Sequence, residues 1–201
     1  ISEETEPSIL DWIDTLSRDL DNHFKNHPFL LGAQPCLGDF SLAAPLYAHV
    51  WRDPGSRKLI AHRPHLLSWI HRVQNGESGQ DPFLPNDEVP DTLLPILRHQ
   101  AREQMPVIRE TRRRVHAHAA ESHQEHGLPR SLGSMTINIG TQQTTRRVLV
   151  MNQWKAQRVY DELDAAAPTH RREVEDWAIH ALGLMSEDLS QPETRVVYKG
   201  Y

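Results

Sequence analysis

One cysteine in 201 residues excludes an internal disulfide framework and fits a reducing compartment. Apolar runs are short as well. None approaches the ~20 residues that a bilayer-spanning helix needs, and the start, Ile1-Ser2-Glu3-Glu4, lacks the basic and apolar regions of a signal peptide. A basic excess is also missing. The formal net charge of -5 and an isoelectric point near 6.2 argue against nucleic acid, and the cluster Arg112-Arg113-Arg114 is too short to reverse that. A cytoplasmic protein with neither nucleic-acid nor membrane partners is expected. No Gly-x-Ser-x-Gly elbow, P-loop, Gly-x-Gly-x-x-Gly or Cys-x-x-Cys occurs, so hydrolase, nucleotide and dithiol chemistries lack support. What remains is 38% hydrophobic residues, enough for the core of one large or two small domains.

The apolar pattern is helical. Ile9, Ile13, Leu16, Leu20 and Phe24 form one stripe of a helix over about residues 8–26, with Asp11, Asp14, Arg18, Asp19 and Asp21 on the other face. Pro28 ends it and Gly32 permits a reversal. A second helix over about residues 37–51 is nearly apolar all round through Ala43, Ala44, Leu46, Tyr47 and Val50, as suits the middle of a bundle, with Pro45 demanding a kink. Asp53-Pro54-Gly55 is a turn. Pro64 then opens a helix carrying Leu66, Leu67, Trp69, Ile70 and Val73. Residues 76–90 read as an exposed linker.

Beyond the linker, Asp91-Thr92-Leu93-Leu94-Pro95 starts a kinked helical region that passes Pro106 to about residue 126, with Ile108, Thr111, Val115 and Ala119 on one face. Met135, Ile137 and Ile139 alternate with polar residues. A polar loop and the apolar run 148–151 follow, which together predict a β-hairpin. Helices follow over about residues 152–166 and 168–182, the latter with Val174, Trp177, Ala178, Ala181 and Leu182 at helical spacing. Residues 195–199 are expected to add a short third strand.

Phe29-Leu30-Leu31-Gly32 followed by Cys36-Leu37-Gly38-Asp39 resembles the helical C-terminal domain of glutathione S-transferases. In that family an aromatic-Leu-x-Gly turn leads to Ser/Thr-x-x-Asp at the start of a buried helix, and here Cys36 replaces the hydroxyl residue. Pro64-His65-Leu66-Leu67-Ser68-Trp69 is similar to the family's later Pro-x-Leu-x-x-Trp helix, so the resemblance covers about residues 8–73. Asp91 to Pro95, Leu128-Pro129-Arg130 and Trp154-Lys155-Ala156-Gln157-Arg158 resemble the C-terminal extension of a bacterial subgroup. The family's thioredoxin-like signatures, a Val-Pro pair preceding a strand and a Glu-Ser pair opening a helix, are missing. So is the first long helix of its C-terminal domain. With a first residue other than methionine, a fragment of a longer chain is expected.

The resemblance implies a mainly α fold: a transferase-like bundle (1–75), a linker (76–90), and a helical extension with a small β-hairpin packed on the bundle (91–201). It further implies glutathione as co-substrate of the parent protein, a small hydrophobic electrophile, a thioredoxin-like domain in cis or trans, and a homodimer. No catalytic residue is expected in this chain, because the thiol-activating group belongs to the missing half. A non-catalytic binding or assembly module is the alternative.

Asp39, three positions into its helix, is expected to cap it with Cys36. A helix N-terminus also lowers a thiol pKa, which makes Cys36 the best nucleophile on paper, whereas a small, half-buried thiol would be inert. Tyr47 and Trp51, one turn apart, suit either core packing or the wall of a substrate site. Trp154, Gln157 and Arg158 have the same two readings, since an indole beside a guanidinium suits flat or anionic molecules while Trp154 could instead be core and Arg158 could pair with Asp161 or Glu162. His116, His118, His123 and His126 with Glu121 and Glu125 are the densest of 13 histidines, yet their spacing matches no metal motif and a solvated helix face is expected.

Overall fold

The computed structural model describes residues 3–121 and 127–197, and it is mainly helical with one two-stranded antiparallel sheet. Among the described residues, no helix is long and apolar enough to cross a membrane. The chain divides into two compact units, Ile1–Ile96 and Leu97–Tyr201.

The first unit contains α1 (Glu6–Phe24), α2 (Leu37–Pro45), the short α3 (Pro54–Arg57) and α4 (Pro64–Gln74). Leu20 and Phe24 from α1 and Leu66, Trp69 and Ile70 from α4 are buried. Phe24 lies on Trp69, ring centroids 4.3 Å apart and planes 13° from parallel. Stacking of this kind adds about 0.5–1.5 kcal/mol beyond the burial itself. Two acidic residues on the polar side of α1 turn out to hold α4. Asp21 Oδ1 accepts from the backbone N–H groups of His65 and Leu66 at 2.8 and 3.0 Å, and Arg63 donates to Asp14 at 2.9 Å. Asp21 thereby supplies the cap that Arg63, at the N-cap position itself, does not make.

Pro45 ends α2, and the chain continues as a π-helical stretch, Leu46–Trp51, in which the Arg52 N–H reaches the Tyr47 carbonyl. Proline removes one donor and crowds the preceding turn, so the helix widens instead of keeping the regular ladder expected up to residue 51. Residues 76–90 are largely exposed, but they are pinned to the 29–34 turn. The Leu84 N–H donates to the Leu31 carbonyl at 3.0 Å, the Gly79 N–H to the Ala33 carbonyl at 2.8 Å, and the Gln34 amide reaches the Gly79 carbonyl. Gly32, at φ 117°, is the residue this arrangement needs, because a Cβ there would sit 3.0 Å from the Leu84 nitrogen.

The second unit holds the body of α5 (Leu94–Glu121), β1 (Ser131–Ile139), β2 (Gln142–Leu149), α6 (Met151–Ala165) and α7 (Pro168–Leu182). The buried line of α5 is Val107, Thr111 and Val115, at i, i+4 and i+8. It differs from the expected face: Ile108 is half-buried and Ala119 exposed. Pro106 leaves α5 continuous. The hairpin turns at Gly140 and Thr141 with Ile139 opposite Gln142, so β2 includes polar residues that the sequence pattern assigned to a loop. Val115, Val150 and Val196 form a core cluster, with Leu128, Leu132 and Trp154 packed against it.

The basic cluster is spent internally. Arg112 donates to the Glu187 and Gln191 carbonyls, Arg113 to Glu110, and Arg114 to Glu110 and to the Leu132 and Ser134 carbonyls beside the β1 bulge. Residues 195–197 add no strand, and residues 198–199 of the expected third strand lie outside the described residues.

Candidate functional site

Cys36, in extended backbone, is the N-cap of α2, and Asp39 is its third helical residue. The Asp39 carboxylate is fully buried. Its Oδ2 accepts from the Cys36 N–H at 2.9 Å, while Oδ1 accepts from the Leu30 N–H at 3.0 Å and from Trp69 Nε1 at 2.8 Å. The Cys36 sulfur accepts in return from the Asp39 N–H, closing a capping box with a thiol in the hydroxyl's place. Asp39 therefore ties together the 28–33 turn, the start of α2 and the middle of α4. Close behind, His23 is fully buried, with Nδ1 2.7 Å from Thr92 Oγ1 and Nε2 3.3 Å from the Phe29 carbonyl.

This environment settles the chemistry of Cys36. Burial pushes its thiol up, and the adjacent Asp39 carboxylate pushes it further, outweighing the amide donors of the helix start. The thiolate is disfavoured, contrary to what position at a helix N-terminus alone suggests. Tyr47 and Trp51 are both half-buried on the π-helical stretch. The Arg57 guanidinium lies 4.9 Å over the Trp51 ring and donates to its carbonyl, and His71 meets the ring edge-on at 6.1 Å.

Trp154 and Arg158 are brought together. One stripe of α6 presents Trp154, Gln157, Arg158, Asp161 and Glu162, and residues 195–197 run beside it, leaving a cleft of about 420 Å³. The segment is held by a side chain that imitates a β-strand: Gln157 Oε1 accepts from the Val196 N–H at 2.7 Å, and its Nε2 donates to the Val196 carbonyl at 3.0 Å. Gln153 adds a bond to the Thr194 carbonyl. Arg195 grips Asp161 with both nitrogens at 2.7 and 2.9 Å, and this pairing holds the Asp161 carboxyl below the usual range. Arg158 does not pair with Asp161 or Glu162. Its guanidinium lies over the Trp154 indole, 5.1 Å from the ring centroid. The sequence marks Gln157 as pocket lining beside Trp154 and Arg158 and not as a clamp, and it leaves Gln153 unmarked, because a glutamine on a helix normally reads as solvated surface.

Asp188, also nearly fully buried, is the third residue of the 3₁₀ turn Ser186–Leu189 and caps its start by accepting from the Met185 N–H at 2.8 Å. Burial opposes its charge, but a bidentate Arg109 and that N–H overcome the penalty, so its carboxyl lies below the usual range. Of the histidine cluster, His123, His126 and Glu125 lie outside the described residues. His116 meets Glu193 at 3.3 Å and Thr194 at 3.1 Å. Among the described residues, no group of three metal-ligating side chains converges.

No protein-family model, curated protein or solved structure matches this chain.

Proposed function

We propose that the first unit is the helical, substrate-side part of a glutathione S-transferase-like protein, which conjugates glutathione to a hydrophobic electrophile together with a thioredoxin-like domain. One observation carries the reading: the buried Asp39 carboxylate, set in an aromatic-Leu-x-Gly to Cys-x-x-Asp frame, links the turn, the start of α2 and Trp69 of the Pro-x-Leu-x-x-Trp helix. Two further features support it. The raised Cys36 thiol makes a poor nucleophile, in keeping with thiolate activation elsewhere. Leu37 and Phe40, 82% and 48% exposed on the outer side of α2, offer apolar surface of the kind a further domain covers. Tyr47 and Trp51 then supply aromatic wall for the electrophile.

The experiment compares this chain alone with the chain completed by a thioredoxin-like domain, the parent of this reading, each given glutathione and a chlorodinitrobenzene substrate and each passed over immobilised glutathione. The expected result is no turnover by the chain alone, with turnover and retention by the parent. Glutathione-dependent turnover by the chain alone contradicts the placement of the chemistry. A folded parent that neither binds nor turns over contradicts the transferase reading and leaves a binding module, which the cleft beside α6 independently favours.

A further inference from the structure

We propose that the cleft between α6 and residues 195–197 is a binding site for a small, flat organic monocarboxylate. The proposal goes beyond the transferase reading and stands without it, since every lining residue belongs to the second unit and none of the chemistry involves glutathione.

The cleft is preformed. Its one wall is a helix stripe, and its other wall is extended backbone that Gln157 grips at both polar atoms of Val196. The Arg195–Asp161 fork fastens the same segment from the side. Binding therefore needs little ordering of the protein, and the volume of about 420 Å³ lies within the range of small-ligand pockets.

The lining sets the ligand's chemistry. Trp154 and Val197 supply apolar surface suited to a planar body, while Val196, whose side chain belongs to the core cluster, fixes the backbone wall. The charges divide into spent and unspent. Arg195 and Asp161 form a direct ion pair, whereas Arg158 lies over the indole and acts on Asp161 only through its charge, without an ion pair among the described residues. The guanidinium held 5.1 Å over the indole carries a planar fork of N–H groups of the kind that matches a carboxylate. With Asp161 neutralised by Arg195, Glu162 on the same stripe limits the charge the cleft tolerates. A single carboxylate is matched by Arg158, whereas the second charge of a dianion meets Glu162.

Titration calorimetry on the whole 201-residue chain at pH 7.5 tests this, with 2-naphthoate as the probe, 2-naphthylmethanol as its uncharged counterpart and 2-naphthyl phosphate as the dianion. Naphthoate should saturate one site, with the alcohol and the phosphate each weaker by about tenfold or more. Arg158→Gln, a change at an exposed position that leaves the fold intact by circular dichroism, should cost about tenfold. Arg158→Lys should recover part of that, since it restores charge without the fork. Glu162→Gln should improve the phosphate more than the naphthoate. Amide shifts on naphthoate addition should map to Val196, Val197 and the Trp154 indole. Undiminished naphthoate binding by Arg158→Gln, shifts confined to other residues, phosphate binding as tight as naphthoate, or no heat at about 5 mM probe would each overturn the proposal.

Discussion

The indole N–H of Trp69 donates to Asp39 Oδ1 across 2.8 Å, so a residue of α4 completes the cap of α2. Cap and core are one structure here. The indole that satisfies the carboxylate also carries the stacked Phe24 of α1, and the carboxylate that starts α2 also fixes the Leu30 amide of the turn.

Asp39→Ala should cost far more than an ordinary cap deletion. Loss of a surface cap costs about 1 kcal/mol, whereas this change orphans the Leu30, Cys36 and Trp69 donors in a fully buried site. A loss of about 3–5 kcal/mol is expected from urea unfolding, on the cost of leaving buried donors unpaired. Cys36→Ser should be neutral or slightly stabilising in the same measurement, because a hydroxyl caps better than a thiol.

Stability should fall with acidity over a window set by His23. Burial, the largest influence, holds its folded pKa at about 4, below the usual 6.5; the Phe29 carbonyl opposes the shift, the stacked His27 adds to it, and Asp39 opposes it. The neutral ring is the folded form. Its contribution is therefore complete above about pH 6.5 and is lost as the pH falls toward about 4, where the unfolded chain takes up a proton that the folded chain refuses. The full loss is about 3 kcal/mol. Urea midpoints between pH 8 and 4 should show the decline, and His23→Gln should flatten it.

Cys36 should alkylate slowly. With its thiol raised by burial and by Asp39, the iodoacetamide rate at pH 7.5 should lie below that of free glutathione and should rise in Asp39→Asn, which removes the carboxylate charge. Mass spectrometry over time reads both rates.

Gln157→Leu should release the segment beside α6. The Val196 N–H and carbonyl both lose their partner in a buried setting, so the change should cost about 2 kcal/mol. Amide exchange at Val196 should accelerate more than at Thr111, which is buried in α5.

Local features were the legible ones. The stripe of α1, the proline-opened α4 and the Cys36 to Asp39 frame each depend on neighbours a few residues apart, and periodicity and capping chemistry reach that far. Asp21 was read as solvated because it faces away from the α1 stripe, yet it caps α4 from 44 residues away in sequence, a role no local pattern encodes. The polar half of β2 was hidden for a related reason: its residues Gln142 to Arg147 pair with β1 while facing largely outward, so alternation of apolar residues never marks them. Trp154, Gln157 and Arg158 were legible as a candidate pocket through their side-chain chemistry, but the cleft they line depends on Gln157 gripping the distant Val196.

The indole N–H resonance of Trp69 offers the most direct measurement, followed by hydrogen exchange in the wild type and in Asp39→Ala, which removes both acceptor oxygens, alongside the Leu30 and Cys36 amides and relative to the buried Leu20 amide. Joint acceleration of all three protons is expected, as for groups sharing one carboxylate. Acceleration at Cys36 alone, with Trp69 and Leu30 unchanged, would contradict the tie between the turn, α2 and α4.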